Sequence, residues 1–341
     1  MAVTGREYAF GPVVRLRIAG ARFARSQFER EYGPAVAPAG PAMVDVDVRY
    51  GWRHRARPQP HSATGGHKTA RWRVALGDPD QRPLHAAIEL TGGPPAFALS
   101  LVQGFYIEPL VAVALARSGQ VALPSAGIVA GAGALVVLGR SGTGKSSVTM
   151  RALAEGRAIL GDDQIVLDAA GRCWPFPRRL RLYPDLRETA PAGWARLSAR
   201  TRTALELRRR VRLWSRGYVA PSLLVPVSGL SASEPPAPLE ASRLVVVERA
   251  AEVDDIVEVA RDADWALQRS CEVLAEQRAR FAAAAGAPWR AALDDVARKE
   301  AGVLRSWLAG PSITEVRLPR SWDAPRAVAA LAARLGIDGM T

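Results

Sequence analysis

Gly139-Arg140-Ser141-Gly142-Thr143-Gly144-Lys145-Ser146 has the spacing G-x-x-x-x-G-K-S. That pattern makes a phosphate-binding loop when a strand feeds it and a helix leaves it. Both neighbours are present. Ala134 to Leu138 is an apolar run of strand length, and Ser147 to Ala154 can open a helix. Glycines permit backbone angles that other residues resist, so successive N–H groups can turn inward as an anion nest at a helix N-terminus. Residues 139–147 are therefore expected to hold a nucleoside triphosphate. Lys145 would sit on the β- and γ-phosphates, and the Ser146 hydroxyl would be a ligand of Mg²⁺.

A nucleotide loop alone does not specify a reaction. The companion feature is Ile159-Leu160-Gly161-Asp162-Asp163, whose first aspartate lies seventeen residues beyond Lys145. This is too close for the strand crossings of most GTPases and transporter ATPases. Neither a Leu-Ser-Gly-Gly signature nor an Asn-Lys-x-Asp base-reading motif occurs. Two carboxylates at the end of a strand could divide metal binding and proton acceptance between them. Arg178, Arg179 and Arg181 follow about fifteen residues later and could stabilise a triphosphate or an acidic acceptor. Trp174, Pro175 and Pro177 read as a rigid turn.

The elements that must position these groups fall into two parts. Pro12 to Ile18, Met43 to Tyr50 and Ala70 to Leu76 alternate as strands do, with a loop expected from Trp52 to His67. His54, His61 and His67 lie in that stretch without acidic or cysteine neighbours and read as solvated side chains. A helix is expected over Tyr106 to Arg117. Strands are expected at Val121 to Leu123, Gly127 to Ala130, Ala134 to Leu138, Ala158 to Leu160, Gln164 to Leu167, Arg243 to Glu248 and Thr314 to Leu318. Ser231 to Leu239 reads as a linker, Ala263 to Leu308 as alanine-rich helix, and Asp323 to Leu335 as a last helix. The division drawn is a smaller β-rich N-terminal domain, 1–118, suited to acceptor recognition, and a core, 119–341.

The 341 residues are 48% hydrophobic and 23% charged, ordinary values for a globular chain. No apolar run is read as reaching the roughly 18–20 residues that span a bilayer. The first residues lack the order of a secretory signal. Cys173 and Cys271 are far apart and suggest a reducing compartment. The expected location is cytoplasmic, with no membrane partner. The net charge of +13 is nearly all arginine, since Lys68, Lys145 and Lys299 are the only lysines. That bias reads as base composition and does not favour nucleic acid as a partner. A basic stretch from Leu207 to Arg216 reads as a solvated helix face, the alternative being a peptide- or nucleic-acid-binding element.

Gly139 to Asp163 resembles the HPr kinase/phosphorylase superfamily, in its HPr-kinase-related branch. The shared features are the loop, the Glu155-Gly156-Arg157 turn, and an apolar strand ending in Asp162-Asp163. Looser similarity takes in Phe105 to Pro109 and Trp174 to Tyr183, about 80 residues in all, and weakly Val245 to Arg249. The resemblance implies an α/β fold, an HPr-kinase-like core with mixed sheet and flanking helices. It implies an ATP- and Mg²⁺-dependent kinase acting on a hydroxyl, most simply a serine of a peptide or protein such as a natural-product precursor. Asp162, Asp163 and Lys145 would be catalytic, with the metal on Ser146, Asp162 and Asp163. Many relatives carry a histidine where this chain has Pro124, and proline can neither take nor give a proton. The phosphocarrier branch's C-terminal signature is also absent. Alternatives left open are a nucleotide-dependent peptide-binding module, a small-molecule kinase, a basic nucleic-acid-binding ATPase, and ADP or pyrophosphate as donor. A homo-oligomer is compatible with the resemblance, but no interface is legible.

Overall fold

The computed structural model describes residues 5–35, 41–51, 62–215, 221–227, 230 and 237–337. Two contact units emerge, Met1–Ala122 with Leu274–Leu304, and Leu123–Val273 with Arg305–Thr341. The division therefore falls four residues beyond 118 and is not simply sequential, because part of the C-terminal helical region joins the first unit.

The first unit is built on a six-stranded mixed sheet, in the order Arg6–Phe10, Val14–Gly20, Val44–Tyr50, Leu84–Thr91, Ala70–Leu76, Ser62–His67. Val14–Gly20, Val44–Tyr50 and Leu84–Thr91 run parallel, and the outer pairs are antiparallel. Alternation sets one face. Val44, Val46 and Val48 are buried, as are Trp72, Val74, Leu84 and Ile88, while Asp45 turns the other way and pairs with Arg17 at 2.9 Å. Helices Arg22–Tyr32 and Pro95–Val102 cover the apolar face. Tyr32 stacks on Phe28 and meets Tyr8 and Phe10 edge-on.

Ser62–His67 corrects the expectation of a loop from 52 to 67. Its Ser-Ala-Thr-Gly-Gly-His sequence has little strand preference, and pairing with Ala70–Leu76 supplies the order. His67 packs near the Phe97 ring, while 52–61, with His54 and His61, lie outside the described residues.

Pro95–Val102, a π-helical turn at Gln103–Ile107 and Glu108–Arg117 form one 23-residue apolar helical run. It is long and apolar enough to cross a membrane by length and composition, which corrects the sequence-based count. However, 78% of its apolar window is buried inside the protein. It is a core helix, and its buried Glu108 accepts from Tyr32 Oη at 3.2 Å and Gln103 Nε2 at 2.9 Å.

The second unit has a mixed sheet whose centre is parallel, Gly133–Gly139 beside Leu239–Ala250 beside Ser312–Pro319. Outside Gly133–Gly139 lie Ser125–Ala130 and then Ile159–Gly161, both antiparallel to their neighbour. Arg172–Pro175 pairs with the start of Leu239–Ala250 and with Ile165–Asp168. Val257–Ala260 closes the far edge against Ser312–Pro319. Leu135–Leu138 and Leu244–Val247 are buried without alternation, as central parallel strands require. Helix Lys145–Ala154 packs with Ala324–Arg334 on one face, Val148 and Leu153 joining Val328 and Leu331 in a shared core. Thus the chain is α/β with mixed sheets and flanking helices. The expected linker is outside the described residues over 231–236, and its end, Leu239, begins a strand. The alanine-rich region is two helices, Ala263–Ala284 and Gly286–Leu308.

Trp289 explains why 274–304 joins the first unit. It is fully buried, donates from Nε1 to the Gly77 carbonyl at 3.0 Å, and meets Phe281 edge-on at 5.3 Å. Trp289→Ala is expected to destabilise the protein by about 3–5 kcal/mol in urea unfolding, the usual cost of emptying an aromatic site. A loss below about 1 kcal/mol, the ordinary surface effect, would contradict that packing.

Candidate functional site

Strand Gly133–Gly139 delivers the chain to the loop, and helix Lys145–Ala154 receives it. Gly144, the residue before the helix, has φ +101°, and Gly142 has φ +86°. Side chains rarely tolerate such angles, so the glycines are what let the loop fold back on itself. Gly139 answers a different constraint. A Cβ there would stand 2.8 Å from the Val247 carbonyl oxygen and 2.9 Å from Thr143 Oγ1. Thr143 braces the loop by donating to the Arg140 carbonyl at 2.9 Å.

Lys145 folds over its own loop. Its Nζ donates to the Gly139 carbonyl and, at 3.1 Å, to the Arg140 carbonyl. Burial lowers its pKa, and the charges of Asp163 and Asp162 partly offset this. An ammonium held by two carbonyls and two nearby carboxylates is available to an incoming phosphate. Ser146 is half-buried, and its hydroxyl has no partner among the described residues. Ser147 is turned elsewhere, its hydroxyl accepting from Thr189 Oγ1 at 3.0 Å. Of Ser147, only the backbone N–H remains for a phosphate. Arg140, Ser141 and Gly142 are exposed.

The strand registers bring the acidic pair to the same sheet edge. Ser125 stands opposite Leu138, and Gly161 opposite Gly127, which faces Val136. Ile159–Gly161 is thereby parallel to Gly133–Gly139, so Asp162 and Asp163 emerge where the loop does. Pro124, just before Ser125, lies at that edge too. The aspartates differ. Asp162 is 5% exposed, and burial pushes its carboxyl from 3.8 up to about 6, helped by the Asp163 charge. Arg178 and the backbone N–H groups of Arg181 and Asp162 act in the opposite direction. Asp163 is exposed and receives Arg178 Nη1 at 2.9 Å. Of the three predicted arginines, Arg178 meets the pair by side chain and Arg181 by backbone, while Arg179 is half-buried between them.

The structure adds groups that the sequence reading missed. A cleft of about 370 Å³ is lined by Leu138–Thr143, Val246–Arg249, Arg269, Glu272 and Arg320. It lies at the C-terminal ends of the three parallel strands, where open α/β sheets bind ligands. Arg269 is committed, pairing with Glu272 at 2.9 Å and Glu248 at 3.6 Å and lying over the Trp265 ring. Arg320 is exposed, directly after the last parallel strand. The strands at Arg243 to Glu248 and Thr314 to Leu318 are legible in the sequence, and the residues just past their ends were the available signal.

A hydroxyl, two carboxylates and an anion nest are hard oxygen and phosphate partners, which suit Mg²⁺ held by one or two carboxylates together with phosphate oxygens. Among the described residues no group of three or more His, Cys, Asp or Glu could hold a metal by itself. Ser146, Asp162 and Asp163 are the residues that could hold such a metal together with phosphate oxygens. Neither Cys173 nor Cys271 forms a disulfide. In comparisons with known proteins, no family model and no curated protein matches the chain.

The raised Asp162 pKa has a thermodynamic consequence. The unfolded chain ionises near 3.8 and the folded one near 6, so this group's contribution is fullest below pH 4 and is lost as pH rises through 6. The difference corresponds to about 3 kcal/mol. In metal-free buffer, urea midpoints of wild type and Asp162→Asn should therefore diverge between pH 4 and 7, the variant gaining relative stability at the higher pH. Parallel curves would show that Asp162 ionises normally.

Proposed function

We propose that the protein is an ATP-dependent, Mg²⁺-requiring kinase that transfers the γ-phosphoryl group to a hydroxyl, the serine of a peptide or protein being the leading acceptor. The observation that carries the reading is the convergence, at one sheet edge, of the glycine loop with Lys145 and the Asp162–Asp163 pair. Phosphoryl transfer needs little covalent chemistry from a protein. It needs an in-line acceptor and compensation of charge on the transferred group. The resemblance to HPr-kinase-related proteins agrees with this chemistry.

In this reading the N–H groups of residues 140–147 and the Lys145 ammonium bind the phosphates. Ser146, Asp162 and Asp163 would hold the metal, which when bound neutralises phosphate charge. Asp163, exposed, is the carboxylate an incoming hydroxyl can reach, while Asp162 lies recessed beside it. Arg178 orients Asp163 and keeps positive charge at the transfer position. Arg320, across the loop, is a second cation within reach of the cleft.

A second reading, a nucleotide-dependent peptide-binding module without transfer, is favoured by Pro124. It occupies the sheet edge where a proton-transferring histidine would serve a kinase, and it offers no such group.

Incubation with Mg²⁺ and γ-labelled ATP separates the two. The kinase reading expects label on serine-containing peptide, a loss of roughly 10²-fold or more in Lys145→Ala, and a loss of about 10²–10⁴-fold in Asp163→Asn. ATP affinity that survives Asp162→Asn, with no label transferred by wild type, would replace it with the binding-module reading.

A further inference from the structure

The basic stretch read from sequence as a solvated face belongs to helix Ala199–Trp214, which carries six arginines and one glutamate. Its attachment to the second unit is narrow. Leu205 is its only buried residue and joins the core cluster of Leu180, Leu182, Leu186 and Leu197. A solvated helix face would show polar side chains on the rest of its surface. This one exposes Leu207 by 59%, Leu213 by 70% and Trp214 by 87%. Those three are the most exposed large apolar side chains among the described residues, and all lie on the last eight residues of one helix. Clustered apolar exposure of this kind marks an interaction surface.

The arrangement says what sort of partner fits. Leu207 and Trp214 are seven residues apart and share a face with Val211 between them. Leu213 lies about a quarter-turn away, and Arg210 and Arg212 fall between and beside them. Glu206 is already taken by Arg209 at 3.0 Å and Arg187 at 3.6 Å, and Arg208 is tied to the Ser222 carbonyl at 2.6 Å. Arg210 and Arg212 are exposed, with no partner among the described residues. An interfacial membrane helix needs one continuous apolar face opposite its charges, and here the apolar and cationic side chains interleave. A nucleic acid would use the arginines but finds nothing in Leu207 and Leu213. An extended peptide bearing both carboxylates and apolar side chains satisfies both sets.

The helix also connects to the candidate site. Arg208 holds it to Ser222, next to strand Leu223–Val225, which pairs with Leu180–Leu182. The backbone of Arg181 in that second strand supports Asp162. We propose that Ala199–Trp214 is a docking helix for an acidic, apolar-containing segment of the acceptor peptide, tethering its serine to the acidic pair. The proposal rests on the kinase reading for the acceptor's identity, but docking is measurable without nucleotide.

The test is fluorescence anisotropy of a labelled synthetic peptide alternating glutamate and leucine around one serine, titrated with the full chain without ATP. Micromolar binding that weakens with salt is expected. It should fall roughly tenfold or more in Arg210→Glu/Arg212→Glu and in Trp214→Ala. These side chains are exposed, so both variants should melt with the wild type. A peptide with lysine in place of glutamate should not bind. Equal binding by wild type and both variants overturns the proposal. So does preferential binding to phosphatidylserine vesicles or to a single-stranded oligonucleotide. Label transfer without variant-sensitive peptide binding sinks docking and leaves the kinase standing, whereas variant-sensitive binding without transfer sinks the kinase reading alone.

Discussion

Everything proposed for this protein hangs on the parallel pairing of Gly133–Gly139 with Leu239–Ala250, continued by Ser312–Pro319. Parallel strands bring all their C-terminal ends to one edge, and there the glycine loop turns out of the sheet. The close fit of that turn is visible in Gly139, whose missing side chain leaves room for the Val247 carbonyl and Thr143. The antiparallel flank Ser125–Ala130 and Ile159–Gly161 then reverses twice, which returns Asp162 and Asp163 to that edge. A one-residue slip in either pairing would turn the aspartates or the loop to the wrong face.

Burial at this edge sets the electrostatics. Lys145 and Asp162 are both driven toward their neutral forms by desolvation, which the charges of Asp163 and Asp162 partly offset at Lys145 and that of Arg178 at Asp162. Such tension is tolerable because Arg178, two backbone carbonyls and backbone N–H groups share the load. In the proposed reading, a triphosphate and its metal would add compensating charge at this edge. Sites that await ligand charge often show perturbed titration of this kind.

The site was legible in sequence to the extent that its chemistry is local. Loop, helix and acidic pair lie within twenty-five residues, Gly139 to Asp163, and the apolar strands that carry them announce themselves. What escaped is non-local. Arg320 and the Arg269–Glu272 pair reach the loop only through strand order, and the ownership of 274–304 depends on Trp289 finding Gly77. Short strands such as Leu180–Leu182 and Leu223–Val225 exist because they pair with each other. Helix Arg22–Tyr32 has no side-chain cap and few apolar residues in sequence, so tertiary packing of Phe28 and Tyr32 defines it. The exposure of Trp214 is likewise invisible in sequence, where tryptophan suggests a core.

The central claim is that the loop and the acidic pair receive one ligand together. Hydrogen exchange with and without Mg²⁺ and a non-hydrolysable ATP analogue tests it most directly, since backbone protection reports each segment separately. The account predicts added protection at both 139–147 and 161–163, with the first unit's strand Arg6–Phe10 unchanged. Protection confined to one of the two segments, or absent from both, would contradict it.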